Sequence, residues 1–119
     1  MVRLSLAAAL LSSGVFAQDL VAVAPQVAKV VIDNAHVRIV EVVFTPGAKA
    51  GTHAPPAGYY HVTQAGSITV TGADGKVSVW SPKVGESGWM EAEPPHTSEN
   101  RGKTTLAFTL VEVKSAAKK

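Results

Sequence analysis

The stretch Ser67–Trp80 reads SITVTGADGKVSVW and contains the clearest structural pattern in the chain. In both of its halves, β-branched and aromatic residues alternate with polar ones, as they do in strands that bury one face. Between the halves lies Gly72–Gly75 (GADG), a group of turn-forming residues. The stretch therefore predicts a β-hairpin.

Strand patterns continue on both sides of this hairpin. In the segment before it, Val40, Val42 and Phe44 fall on one face and Glu41 on the other. No stretch of twelve residues beyond the N-terminal segment has helical periodicity. Short strands at this spacing predict an all-β sandwich or closed barrel. The predicted strands are Gln26–Ile32, Val37–Thr45, Tyr59–Gln64, Ser67–Thr71, Lys76–Trp80, Glu86–Met90 and Thr104–Val113.

Length and charge limit the possible functions. With 119 residues, the chain is long enough for one domain with a single hydrophobic core. Eleven Lys and Arg face nine Asp and Glu, and no stretch gathers the basic residues as phosphate neutralisation requires. We therefore expect no nucleic-acid partner.

Residues 1–17 have the pattern of a secretory signal peptide. Arg3 gives a short positive start, Leu4–Leu11 is apolar, and Val15–Ala17 has small or aliphatic residues at the positions that a signal peptidase reads. Cleavage is expected after Ala17, which predicts a periplasmic or secreted protein. The apolar run is shorter than the roughly 20 residues that span a bilayer, so no membrane span is predicted. The alternative is a buried N-terminal strand or helix.

Two different sets of residues stand at fixed spacings, one before the hairpin and one after it. The first is Gly47, His53, Pro55, Tyr59 and Gly66, and the second is Gly85, Glu91, Glu93, His96 and Asn100. In spacing and order these sets resemble the two motifs of the cupin superfamily. The resemblance implies a small single-domain cupin with a double-stranded β-helix (jelly-roll) barrel. It divides the chain into a signal peptide (1–17), an N-terminal arm (18–36), the barrel (37–113) and a basic tail (114–119).

The first motif departs from the family at two metal-ligand positions. In the family, two histidines and a glutamate of this motif join the histidine of the second motif around one metal ion. His53 and His96 match the first and last of these ligands, but Pro55 and Tyr59 stand at the other two positions. Proline offers no ligand atom, and a phenol that titrates near pH 10 is a weak ligand.

His61 offers a replacement ligand. If Tyr59 points into the barrel, so does His61, because side chains two apart in a strand share a face. His53, His61, His96 and a water would then suit a divalent transition metal such as Fe, Mn, Ni, Cu or Zn. The alternative is a metal-free pocket in which Tyr59 and the three histidines hydrogen-bond one another and a small ligand.

Two functions remain open at this stage. One is a metal-dependent oxygenase or isomerase of a small molecule, with Tyr59 as a catalytic proton or hydrogen-bond donor and Tyr59, Trp89 and Glu91 lining the substrate pocket. The other is a non-catalytic cupin that binds a small molecule or has a structural role. The resemblance also implies a homodimer formed through sheet edges. Thr104–Val113 and Leu20–Ile32 are candidates for that contact, although both could be inner strands.

Overall fold

The computed structural model describes residues 19–114, so the predicted signal peptide (1–17) and all but the first residue of the basic tail lie outside the described residues. A four-residue helix, α1 (Leu20–Val23), precedes the strands. The strands are β1 (Ala28–Asp33), β2 (Val37–Phe44), β3 (Lys49–His53), β4 (Gly58–Gln64), β5 (Ile68–Gly72), β6 (Val77–Trp80), β7 (Ser87–Met90), β8 (His96–Glu99) and β9 (Leu106–Val113). The prediction of an all-β domain is confirmed.

The strands form two antiparallel sheets. One has five strands in the order β1-β2-β9-β4-β7, and the other has four in the order β3-β8-β5-β6. Strands that are neighbours in sequence therefore often lie in different sheets, and most of the pairing joins distant parts of the chain. Two hairpins are exceptions. Strand β1 pairs directly with β2, and the predicted hairpin pairs β5 with β6 from Ile68 opposite Trp80 to Thr71 opposite Val77.

The core lies between the sheets and follows the alternation in sequence. On β2, Val40, Val42 and Phe44 are buried while Glu41 is exposed, as predicted. On β9, the buried side chains include Leu106 and Leu110. Apolar side chains two apart on a strand point to the same face, so these residues bury one face of the five-stranded sheet.

An ion-pair cluster ties the start of the described chain to this sheet. The Arg38 guanidinium on β2 lies 2.5 Å from a carboxylate oxygen of Asp19 and 2.7 Å from one of Glu112 on β9. Arg38 offers several N–H donors in a fixed planar geometry, which suits two carboxylates at once. This cluster holds Asp19, the residue that precedes α1, against β2 and β9.

Three elements were not predicted from the sequence, namely β3, β8 and α1.

The two alternatives for Thr104–Val113 were a dimer contact and an inner strand. Strand β9 lies between β2 and β4 with both sides paired, so this segment belongs to an inner strand and cannot supply a free sheet edge. Strand β1 does lie at an edge of its sheet. No helix within residues 19–114 is long and apolar enough to cross a membrane.

Candidate functional site

A cavity of about 520 Å³ lies between the two sheets and draws its lining from both. Most of its wall is apolar or aromatic. A smaller polar part consists of two histidines, two glutamates and two serines. The apolar and aromatic lining includes Phe44, Tyr60, Ile68, Trp80, Met90, Phe108 and Leu110, and the polar lining is His53, Ser78, Glu91, Glu93, His96 and Ser98.

Two buried histidines face each other across the pair of strands that the sequence did not predict. His53 at the end of β3 is paired with His96 at the start of β8. Their side chains are only 3% and 8% exposed, and their ring centroids are 4.7 Å apart at an interplanar angle of 70°. The structure therefore brings together the two histidines that match the family motifs.

Backbone carbonyls fix the orientation of both rings. His53 Nδ1 lies 2.7 Å from the carbonyl oxygen of Gly51, and His96 Nδ1 lies 3.0 Å from that of Pro94. A carbonyl oxygen can only accept, so each Nδ1 carries the hydrogen and each Nε2 of the neutral ring keeps a lone pair. Within residues 19–114, every fully buried side-chain nitrogen or oxygen has a partner. The Nε2 atoms of His53 and His96 have no such partner, so they are not fully buried. They open onto the cavity, because both residues line it.

The surroundings of His53 favour its neutral form. Burial lowers the pKa of the imidazole below its ordinary value of 6.5, and the neighbouring His96 lowers it further. The hydrogen bond to Gly51 offsets part of this effect. At neutral pH, His53 therefore offers the cavity a hydrogen-bond acceptor and no positive charge.

Tyr59 and His61 lie on the outer face of β4, contrary to the expectation that they point into the barrel. The two share a face, because Tyr59 donates a hydrogen bond to Ser87 Oγ at 2.9 Å and His61 Nδ1 lies 2.8 Å from the same oxygen. Tyr59 is 42% exposed, and neither residue lines the cavity. The inner face of the strand instead carries Gly58, Tyr60 and Val62.

Tyr60 takes the place in the cavity that was expected of Tyr59. Its hydroxyl donates to Glu86 Oε2 at 2.7 Å, and its ring packs edge-on against Trp80 at 5.3 Å. On the neighbouring strand, a Cβ added to Gly88 would come within 3.1 Å of the Tyr60 ring, so that ring would have to shift by a few tenths of an ångström. The alternation Gly58, Tyr60, Val62 against Tyr59, His61, Thr63 was the sequence signal for this orientation, since the apolar set faces inward.

The other residues expected at the pocket are close to it. Trp89 and Glu91 line the cavity, with Trp89 53% exposed. Glu93 also contributes, and its backbone N–H donates to the carbonyl of Pro55, which joins the loop after β7 to the loop after β3. Asn100 is fully buried away from the lining, where its amide donates to two backbone carbonyls and holds the turn before β9.

The donor set at this site does not fit a firmly held divalent metal. Only His53 and His96 present free imidazole nitrogens, because Pro55 has no donor atom and His61 faces outward. Glu93 approaches His96 at Nδ1, 3.5 Å away, which is the nitrogen that already faces Pro94 and not the free Nε2. Residues 19–114 contain no group of three His, Cys, Asp or Glu side chains placed to hold a metal ion, whereas zinc sites use three or four protein ligands.

Comparison with known proteins gives the class of this two-sheet barrel. No protein-family model and no curated protein matches the sequence. A cupin domain from Bordetella pertussis Tohama I is 23% identical, with 75% of this chain and 93% of that one covered and a TM-score of 0.67. An RmlC-like cupin with a double-stranded β-helix fold from Methanocaldococcus jannaschii is 19% identical, with 73% and 78% covered and a TM-score of 0.57.

A third solved structure, the polyketide cyclase RemF from Streptomyces resistomycificus, is 18% identical, with 72% of this chain and 63% of that one covered and a TM-score of 0.54. The shared feature of these proteins is the barrel. This chain therefore has the cupin fold, the double-stranded β-helix, which is the fold that the two sequence motifs implied.

Proposed function

We propose that this protein binds a small organic molecule in its barrel cavity and that it does so without a resident metal ion. The observation that carries the proposal is the His53–His96 pair, in which both Nδ1 atoms face backbone carbonyls and both Nε2 atoms are left for a ligand. These two acceptors are held by strand pairing and lie beside a mainly apolar wall. Binding sites for small molecules combine these features.

The size of the cavity supports the proposal. Its volume of about 520 Å³ falls within the range of roughly 300–1,000 Å³ that ligand pockets occupy. Tyr60 packs edge-on against Trp80, and Trp80 packs edge-on against Phe108, so this part of the wall is rigid. A preformed wall lowers the ordering cost of binding.

A metal-dependent oxygenase or isomerase is the weaker candidate. The fold is shared with an enzyme, the polyketide cyclase RemF, but a shared fold does not determine chemistry. The expected catalytic Tyr59 and the expected third ligand His61 both lie outside the cavity. A site with two imidazoles would bind a metal from solution only weakly.

Fluorescence provides a direct test of binding. The only two tryptophans of the chain, Trp80 and Trp89, both line the cavity, so their emission should change when a ligand enters. We expect saturable changes with members of a panel of small amines, alcohols and carboxylic acids. The change should be lost or strongly weakened in Val70→Phe, which fills part of the cavity without adding a tryptophan, and kept in His61→Ala, which alters only the outer face. A response that is unaltered by Val70→Phe would refute binding in the cavity.

Metal content tests the other half of the proposal. Protein purified without an affinity tag should hold less than about a tenth of an equivalent of Fe, Mn, Ni, Cu or Zn after dialysis, as expected for two ligands. Close to one equivalent, lost in both His53→Ala and His96→Ala but kept in His61→Ala, would show that the site holds a resident metal and that the metal-free proposal is wrong.

We further propose that the protein is exported, on the basis of the sequence pattern of residues 1–17. The mass of the protein recovered from the periplasm or the medium should correspond to a chain that begins at Gln18. Ala17→Arg should block processing and keep the full-length chain with the cells. Recovery of the full-length wild-type chain in the cytoplasm would contradict export.

A further inference from the structure

The charges around the cavity restrict its ligand. The lining contains two carboxylate side chains, Glu91 and Glu93, and no Lys or Arg. An anionic ligand would therefore meet two carboxylates and no cation, which is unfavourable in a partly desolvated site.

The hydrogen-bonding groups of the lining also favour a ligand that carries hydrogen-bond donors. The two Nε2 atoms of His53 and His96 belong to side chains that are more than nine-tenths buried, and each is an acceptor without a protein donor. With the two carboxylates they make the polar part of the lining rich in acceptors. A ligand that donates N–H hydrogen bonds satisfies such groups, and a ligand with only acceptor atoms leaves them unpaired.

The aromatic wall suits a positive charge. The rings of Tyr60 and Trp80 contribute to the lining, and indole and phenol rings attract cations through the negative potential of their faces. The Tyr60 hydroxyl is already used as a donor to Glu86, so it does not supply a hydrogen-bond donor for an anion. The remaining apolar wall, with Phe44 and Phe108, would cover a hydrocarbon body.

We propose that the ligand of this cavity is an organic cation, an amine or ammonium compound with an apolar body. This inference rests on the proposed function, namely that the cavity binds a small molecule. The cationic nitrogen would lie near Glu91 and Glu93 and donate to the Nε2 atoms of the histidine pair, with the hydrocarbon part against the aromatic wall.

The test compares ligands that share one skeleton and differ in charge. Two sets serve as probes: 2-phenylethylamine, 2-phenylethanol and phenylacetate, and hexylamine, hexanol and hexanoate. Dissociation constants are measured by tryptophan fluorescence and calorimetry at neutral pH. We expect each amine to bind at least about tenfold more tightly than its alcohol, a difference of about 1.4 kcal/mol, and the carboxylate to bind more weakly than either.

Variants connect this preference to the two carboxylates. The double change Glu91→Gln with Glu93→Gln should bring the affinity for the amine close to that for the alcohol, without changing the affinity for the alcohol. Glu99→Gln is the control, since Glu99 pairs with Arg101 and does not line the cavity. It should leave the preference for the amine intact.

The outcomes separate the two proposals. If alcohols or carboxylates bind as tightly as the amines, the ligand is not a cation, but the cavity still binds small molecules. If the preference for the amine survives the double variant, the carboxylates do not cause it and the inference fails. If neither set of probes changes the fluorescence or releases heat, both the cation inference and the binding function are overturned.

Discussion

At the scale of single residues, His53 should make the stability of this protein depend on pH. Burial and the neighbouring His96 lower its pKa below 6.5 in the folded state. The unfolded chain therefore takes up a proton at a higher pH than the folded chain does. We expect the free energy of unfolding to fall as the pH drops through about 6.5 towards the folded-state pKa of His53. Urea denaturation at a series of pH values would measure this slope.

A matched pair of variants isolates the contribution of His53. His53→Asn removes the titrating ring and should give a shallower slope between about pH 7 and pH 5. His36→Asn changes an exposed loop histidine and should leave the slope as in the wild type. NMR titration of the His53 ring checks the cause independently of stability. A His53 pKa at or above 6.5 would contradict the prediction.

The hydrogen bond between Tyr60 and Glu86 gives a second prediction at this scale. The phenol donates to the carboxylate, and this bond lowers the pKa of Glu86, with a smaller contribution from the Lys83 backbone N–H. Tyr60→Phe should therefore raise the pKa of Glu86 towards its ordinary value, as measured by NMR titration of the carboxyl carbon. Tyr59→Phe, which alters only the outer face, should have no effect. An unchanged Glu86 pKa in Tyr60→Phe would show that the bond is absent in solution.

The sequence indicated which residues matter at the site more reliably than where their side chains point. The motif spacing picked out His53 and His96, which do lie together in the cavity. The motif spacing also placed Tyr59 at a ligand position of the family. Because Tyr59 was assumed to point inward, His61, two residues later on the same face, was assumed to point inward as well. The more apolar face of this strand, with Tyr60 and Val62, was the signal against that assumption, and it pairs with Leu110 and Phe108 on the buried side of β9.

At the scale of elements, the β5–β6 hairpin depends on its turn. Gly75 has φ of +85°, a conformation that costs a residue with a Cβ about 1–2 kcal/mol. We expect Gly75→Ala to lower the free energy of unfolding by that amount. Gly51→Ala is the control, because an added Cβ there meets nothing within 4 Å and Gly51 does not have positive φ. Equal stabilities of the two variants, measured by thermal or urea denaturation, would contradict this account of the turn.

Local patterning was sufficient for some elements and not for others. The hairpin and β2 follow from alternation and turn residues, so they could be predicted from the sequence. Strands β3 (KAGTH) and β8 (HTSE) are short and mostly polar, and neither alternates apolar with polar residue types along the sequence. They form because the chain brings them together, with β8 pairing to β3 on one side and β5 on the other. The two strands that carry His53 and His96 therefore had the weakest strand pattern in the sequence.

At the scale of the whole molecule, we propose pairing between copies of the chain through β1, which within residues 19–114 has a strand neighbour on one side only. Strand β9, one of the two segments first considered for this contact, is paired on both sides, which leaves β1 as the candidate from the N-terminal arm. Its Val30, Val31 and Ile32 are 39–49% exposed. Exposed aliphatic side chains on an unpaired strand edge are typical of strands that add to another sheet.

We therefore expect a homodimer that pairs through β1. Val31→Lys should shift the protein from dimer to monomer, as measured by light scattering after size exclusion, because pairing would bury the lysine charge without a partner. Val79→Lys on β6, one of the two edge strands of the other sheet, is the control and should leave the dimer intact. Unchanged circular dichroism would show that both variants are folded. A dimer that withstands Val31→Lys and dissociates in Val79→Lys would place the contact at β6, and a monomeric wild type at all concentrations would rule out the homodimer.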